Sequence, residues 1–285
     1  MAYRYRQYQF DLTSTQSSTQ IIPSLTSHIS IHLSVRKKFS RTFYDTFDWR
    51  LHNTNTSFYT EQIAQQWSLH HKDIITGDSL IITCQSKVPR FSWDVTDSMF
   101  HHVLSKNIGI RALLPVLKTE VDQYLFKLCN EENKIIAKMM LENCQLKNPP
   151  DSLKAQHQCF IIIPLRGFDE QVEALLPMIL ELLPVPAHAI DLQQNIMKQL
   201  TIEPFPYTTK IKISLVAKQS TDMSVKFILQ HIFDMMLMNE AGLKENTDSE
   251  FLHDFRVAIR RTRTALSRFK SLFSTSQLNV FKEEF

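Results

Sequence analysis

Between Phe255 and Lys270 the chain carries five arginines, one lysine and no carboxylate. At about 100° per residue, His253, Arg256, Arg260 and Arg263 fall on one side of a helix. Phe255, Ala258, Ile259, Thr262, Ala265, Leu266 and Phe269 fall on the other. A helix of this kind packs one face into a core and turns a row of cations to water. Runs of arginine are more often solvated faces or sets of surface ion pairs. Here no Asp or Glu within the run stands three or four residues away to pair with them. A guanidinium fork takes two phosphate oxygens at once, so the chemistry expected is the holding of a polyanion. The net charge is only +3, so anion binding must come from this local patch and not from bulk charge.

Other reactive residues point to less. The only glycines are Gly77, Gly109, Gly167 and Gly242, and no two are close. That excludes the clustered glycines of a P-loop or a dinucleotide fingerprint, so any phosphate site must use side chains. Cys84, Cys129, Cys144 and Cys159 form no Cys-x-x-Cys pair and read as free thiols in a reducing cytoplasm. His70-His71 and His101-His102 are adjacent pairs whose rings point apart, which disfavours a shared metal. Lys118, Glu120 and Asp122 share one face of an extended segment; a paired, solvated set of charges is the simpler reading beside a remnant site. Trp49, Trp67 and Trp93 read as core or barrel residues, and no Gly-x-Ser-x-Gly nucleophile is present.

The elements that must position these residues change character along the chain. Ser27–Val35 alternates polar and apolar with a period of two, and Ser79–Gln85, Val121–Cys129, Lys134–Leu141 and Gln158–Leu165 are further strands. Asn130–Asn133 reads as a hairpin turn and Thr13–Gln20 as a loop. Asp169 to about Leu183 is helical, ended by Pro184 and Pro186. Thr209–Val216 alternates again and reads as a strand. From Thr221 the chain is helical, with Gly242 placed to be the C′ residue of one helix. Thr247 and Glu250 have capping-box spacing at the start of the next. Many short strands suggest an antiparallel barrel or sandwich over residues 1–205, followed by helices over 220–285. The N-terminus has no apolar signal region, and Ala174–Ile190 is too short and too broken by prolines to span a membrane. A cytoplasmic location without membrane contact is the expectation.

The segment from His253 through Arg256-Val-Ala and Arg260-Arg-Thr-Arg263 to Ala265-Leu266 resembles the signature of the CHAD domain, a conserved-histidine α-helical domain. The preceding helix, including Asn239, is similar to its entry helix. The resemblance implies an all-helical bundle that binds inorganic polyphosphate, with His253, Arg256, Arg260, Arg261 and Arg263 as the binding residues, and association with polyphosphate granules. A CHAD domain is larger than this stretch, so the chain is expected to supply the N-terminal part of the bundle. The rest would come from another chain, or the chain would be a truncated product.

CHAD domains often follow a CYTH domain, the triphosphate-tunnel barrel of inorganic triphosphatases and adenylate cyclases. Tyr44-Asp45-Thr46-Phe47-Asp48-Trp49-Arg50-Leu51 resembles that family's Tyr-Asp-Thr-x-Asp-x-x-Leu segment. The fold expected is therefore α+β: a CYTH-like antiparallel β-barrel, then a partial CHAD bundle. CYTH catalysis uses Glu-x-Glu-x-Lys on the first strand, where alternate carboxylates hold a divalent metal. Here the corresponding positions are Gln7, Gln9 and Asp11; the spacing is kept and the charge is not. Ser57–Glu61 stands where an Arg-x-Arg strand belongs in that family. The expectation is a polyphosphate-binding protein with a degenerate, non-catalytic barrel and no cofactor. Two alternatives remain. One is an inorganic triphosphatase using Mg²⁺ or Mn²⁺. The other is nucleic-acid binding through the same arginines, which the absence of aromatics on the cationic face disfavours.

Overall fold

The structure, a computed structural model, describes residues 3–12, 18–84, 88–147, 156–182, 192–204 and 207–284. In chain order the first elements are β1 (Tyr3–Arg6), β2 (Tyr8–Leu12), α1 (Ser18–Thr26), β3 (Ser30–Asp45), α2 (Arg50–Asn53), β4 (Thr56–Ile63), β5 (Gln66–Asp73), β6 (Asp78–Cys84) and α3 (Ser98–Ile108). There follow β7 (Leu114–Cys129), β8 (Ile135–Leu146), β9 (Gln156–Pro164), α4 (Asp169–Leu182), α5 (Leu192–Gln199), α6 (Thr221–Lys244), α7 (Ser249–Arg268) and α8 (Thr275–Glu284). They group into two compact units, Met1–Gly109 with Leu113–Phe205, and Ile110–Ala112 with Pro206–Phe285.

The first unit is built on one antiparallel sheet of order β1-β6-β5-β4-β3-β7-β8-β9-β2. Its two ends, β1 and β2, are separated in the chain by Gln7 alone. Tyr3 pairs with Ile81 of β6 while Tyr8 pairs with Ile162 of β9. One N-terminal run therefore joins both edges and closes the sheet into a barrel, which removes the free edges an open sheet would carry. Period-two alternation gives each strand an outer and an inner face. Outward residues such as Phe126, Met139, Leu141, Phe160 and Ile162 pack with Ile21 and Leu25 of α1 and with Val172 and Ile179 of α4. On another side Phe58, Leu69 and Leu80 pack with Leu51 of α2 and with Phe100 and Leu104 of α3.

Part of the interior is filled rather than open. Phe39, Phe43, Leu117, Val121 and Cys144 form a cluster with Leu192 and Ile196 of α5. The helix is held there by Ser57 Oγ donating to Gln193 Oε1 at 2.9 Å and by Asn195 Nδ2 beside His157 Nδ1 at 2.8 Å.

The strands expected before residue 170 are found with shifted bounds, β3 starting at Ser30 and not Ser27 and running on to Asp45, and the Asn130–Asn133 turn closes β7 onto β8 with Asn133 at φ 62°. β4 covers the Ser57–Glu61 segment, whereas β5 and α3 escaped the sequence reading; β5 mixes Gln, Ser and His with few apolar residues. Trp93 is exposed and stacked on Phe91 at 4.4 Å, not a core residue. Residues 13–17, Gln85 and the stretch 183–190 lie outside the described residues. Of the loop expected over Thr13–Gln20, Ser18 to Gln20 belong to α1.

In the second unit α6 and α7 pack through Ile232, Met236 and Ala258. Three expectations are corrected. Gly242 does not end α6, which runs to Lys244; Asn246, at φ 50°, takes the left-handed position. Gly242 is needed for close approach instead, since a Cβ there would lie 2.4 Å from the Phe251 ring. The N-cap of α7 is Asp248, not Thr247: it accepts from the N–H of Glu250 at 3.0 Å and of Phe251 at 3.2 Å. Thr209–Val216 forms no strand despite its pattern, because no ladder partner lies beside it among the described residues.

Candidate functional site

Helix α7 carries the cations as expected. His253, Arg256, Arg260 and Arg263 are exposed, while Ala258, Thr262 and Leu266 are buried and Phe255 and Ile259 partly so. The one polar residue on the buried side, Thr262, donates its hydroxyl to the Ala258 carbonyl at 3.1 Å. The ion pairs of this unit lie elsewhere: Arg111 with Asp248 and Asp254, Lys226 with Asp222, and Lys244 with Glu240. Among the described residues no carboxylate comes within ion-pair distance of Arg256, Arg260 or Arg263. Arg261 differs from its neighbours. It is half-buried, and its Nη1 donates to the carbonyl oxygen of Thr209. The expected set therefore divides into four groups facing water and one turned inward.

The face is held by a buried network that sequence reasoning missed. Arg111 Nη2 donates to Asp254 at 2.6 Å and Nη1 to Asp248 at 3.3 Å, while the Ala112 N–H reaches Asp248 at 3.0 Å. Tyr207 Oη donates to Asp254 at 2.9 Å and accepts from Asn239 Nδ2 at 2.8 Å. Burial, with Asp254 nearby, pushes the Tyr207 hydroxyl up to about 12. Asp254 sits beside the signature histidine, but its partner Arg111 is 143 residues away in sequence, a separation no local pattern reveals.

The second place where charge converges is the barrel interior. Inner-face alternation brings Tyr5, Gln7, Arg41, Tyr59, Glu61 and Glu142 to a cavity of 310 Å³. Arg41 sits opposite Glu61 in the β3–β4 register. Its Nε and Nη2 donate to Glu61 at 3.0 and 2.6 Å, and its Nη1 and Nη2 to Glu142 at 2.8 and 3.0 Å. Gln123 Nε2 adds a bond to Glu142 at 2.7 Å. His70 Nε2 lies 3.4 Å from Glu61, and the His70 ring stacks on Tyr59 at 4.6 Å. The side chains of Arg41 and Glu142 are only 5% and 1% exposed, so these charges are compensated without water. Burial alone would raise the Glu61 carboxyl, but the charges of His70 and Arg41 outweigh it and hold it at about 2. Burial drives the Tyr59 hydroxyl well above its ordinary value.

Gln7 lines this cavity, and Gln9 accepts from Lys72 Nζ at 2.7 Å. Asp11 pairs through its backbone with Cys159, and its side chain lies outside the described residues. These positions do not fit a divalent metal. The two amides are poor ligands, and the carboxylates that do face inward, Glu61 and Glu142, already hold a guanidinium that would repel a cation. Among the described residues no group of three or more His, Cys, Asp or Glu is placed to hold one. Asp45 of the Tyr-Asp-Thr segment has a local task. It is fully buried and accepts from the N–H groups of Thr46, Leu51 and His52 at 2.7, 3.0 and 2.9 Å, and so caps α2.

The remaining candidates separate. Lys118, Glu120 and Asp122 face outward, with Glu120 on Lys147 at 2.9 Å and Asp122 on Arg36 at 2.5 Å. His71 points away from His70 toward Phe100, and burial lowers its imidazole to about 4. The described cysteines are free thiols, Cys129, Cys144 and Cys159 buried and Cys84 partly so. No described helix is long and apolar enough to cross a membrane.

Residues 227–285 match the family model of the CHAD domain. Among solved structures, a putative adenylate cyclase from Bacillus halodurans is similar at 8% identity and TM-score 0.47, over 67% of this chain and 97% of that one. A putative adenylyl cyclase from Hippeastrum, described as having a dominant triphosphatase activity, is similar at 11% identity and TM-score 0.45, over 67% of this chain and 94% of that one. A protein from Pyrococcus horikoshii is similar at 14% identity and TM-score 0.40, over 69% and 99%. The barrel itself is defined by its strand order and register, not by these likenesses. No curated protein matches the chain.

Proposed function

We propose that this protein binds inorganic polyphosphate through the exposed face of α7 and that its barrel is a structural, non-catalytic unit. The observation that carries the reading is that Arg256, Arg260 and Arg263 have no carboxylate partner among the described residues, within a segment that matches the CHAD domain. Cations held on a rigid helix without carboxylate partners lose little by exchanging water and counterions for phosphate oxygens. The exposed groups on that face are three guanidiniums and the His253 imidazole, which suit retention of a polyanion. The barrel supports the second half of the reading, because four of the five N–H donors of Arg41 are taken by Glu61 and Glu142, whose charges also outweigh its own.

Calorimetric titration with long-chain polyphosphate tests this. The R256Q/R260Q/R263Q variant is expected to bind roughly 100-fold more weakly, three exposed contacts at up to about 1 kcal/mol each. Unchanged affinity would defeat the reading. If RNA or DNA resists displacement by polyphosphate, the ligand is a nucleic acid. If purified protein releases phosphate from tripolyphosphate in a chelator-sensitive manner, the barrel is an enzyme after all.

A further inference from the structure

The segment Thr209–Val216 has a strand's pattern and, among the described residues, no strand's partner. Ile211, Leu215 and Val216 are 39%, 49% and 66% exposed, so the alternation does not bury an apolar face. None of the backbone groups of Ile211–Leu215 takes part in a backbone hydrogen bond among the described residues. Yet the segment is not loose on the helices. Tyr207 is bonded to Asp254 and Asn239, and the Thr209 carbonyl accepts from Arg261. At its far end Ser220 caps α6 by accepting from the Met223 N–H at 3.3 Å. The first turns of α6 in turn line a groove with Thr262 and Leu266 of α7. The first end of the segment is thus fixed along α7 between Asp254 and Arg261, and the other continues into the cap of α6.

Between those anchors stand Lys210, Lys212 and Lys218, all exposed and without an ion pair among the described residues. Lys210 follows immediately on the carbonyl that Arg261 grips. Lys212 follows two residues on; Lys210 and Lys212 are both exposed, as is Ile211, while Ile213 is partly buried. On the α7 wheel Arg261 borders the flank of the exposed face opposite Arg263, with Arg260 and His253 between them. Through the Arg261–Thr209 contact, Lys210 and Lys212 lie in chain next to the flank that the four face residues leave uncovered. Arg256 to Arg263 spans only about 10 Å along the helix axis at 1.5 Å per residue, a length that a short phosphate chain already fills.

We propose that Lys210 and Lys212 form a second contact lane that makes the site selective for long polyphosphate over tripolyphosphate, with Arg261 as the positioning residue that holds the lane against α7. This rests on the reading of α7 as a polyphosphate site. A long chain reaches both lanes, whereas tripolyphosphate engages the helix face alone. Arg261 then acts through Thr209 and not by touching phosphate, which accounts for its half-buried, hydrogen-bonded state among otherwise free arginines.

The test compares the affinities of the full chain for long-chain polyphosphate and for tripolyphosphate. K210Q/K212Q should weaken the long chain about tenfold, reduce its slope of log K against log salt by about 1.4 (two contacts at about 0.7 each for a single-stranded polyanion), and leave tripolyphosphate affinity unchanged. R261Q should lose the same preference with both lysines present, and its melting temperature separates loss of positioning from loss of fold. Equal weakening of both ligands by K210Q/K212Q, or of neither, would overturn the second lane while leaving the α7 reading intact. An unchanged preference in a folded R261Q would remove the positioning role. If the parent protein binds neither ligand, the α7 reading fails and takes this one with it.

Discussion

Arg41 and Arg256 are the same side chain in opposite circumstances. Arg41 is buried in the barrel with four donated bonds to Glu61 and Glu142, while Arg256 stands on α7 with no carboxylate in reach among the described residues. The first is a structural group: four of its five donors are used and its removal would leave two buried carboxylates uncompensated. The second is, on the proposed reading, a binding group, since it is exposed. Charge alone does not mark a phosphate site. What marks it, on the proposed reading, is charge held in place and left unanswered, and by that measure Arg256 qualifies and Arg41 does not.

The contrast can be broken most sharply at Arg41. Arg41→Met should destabilise the first unit by about 3–5 kcal/mol, because it leaves two buried carboxylates uncompensated. That is a fall of roughly 10 °C in its melting transition, with polyphosphate affinity unchanged; loss of affinity in a folded variant would mean that the tunnel binds the ligand. On the helical side, Gly242→Ala drives a methyl into the Phe251 ring and should cost about 1–3 kcal/mol despite the better helix propensity of alanine. Denaturant unfolding of the second unit checks this.

Acid sharpens the comparison from the barrel side. The folded-state Glu61 carboxyl is held below its unfolded value, at about 2. Its contribution is therefore fully present above the ordinary glutamate range near 4.5 and is lost as pH falls from there toward 2. Barrel stability measured across that window should decline, and Glu61→Gln should flatten part of the decline; an unaltered profile would mean the pair adds nothing. The smallest effect belongs to the α7 arginines, whose replacement should shift stability by no more than about 0.5 kcal/mol.

The α7 face was legible in sequence because a helix wheel needs only neighbours within a few turns. His253, Arg256, Arg260 and Arg263 came out where the spacing put them. Arg261 did not, since its partner Thr209 belongs to a different segment and its angular position alone looks exposed enough. The neutral amides Gln7, at the junction of β1 and β2, and Gln9, on β2, were also readable, as was Asp11. The tunnel network was not. Arg41 meets Glu61 through the β3–β4 register and Glu142 across 101 residues of sequence, and pairing of that range is decided by barrel closure. Thr209–Val216 failed for a related reason: alternation is a necessary feature of a strand, but a strand also requires an edge to pair with, and sequence does not supply one.

The most direct test of the central claim is the salt dependence of polyphosphate binding for the parent protein and for R256Q/R260Q/R263Q. The account predicts a slope of log K against log salt that is shallower in the variant by about 2, three lost phosphate contacts at about 0.7 each. Parallel lines for the two proteins would show that phosphate is held elsewhere and would contradict it.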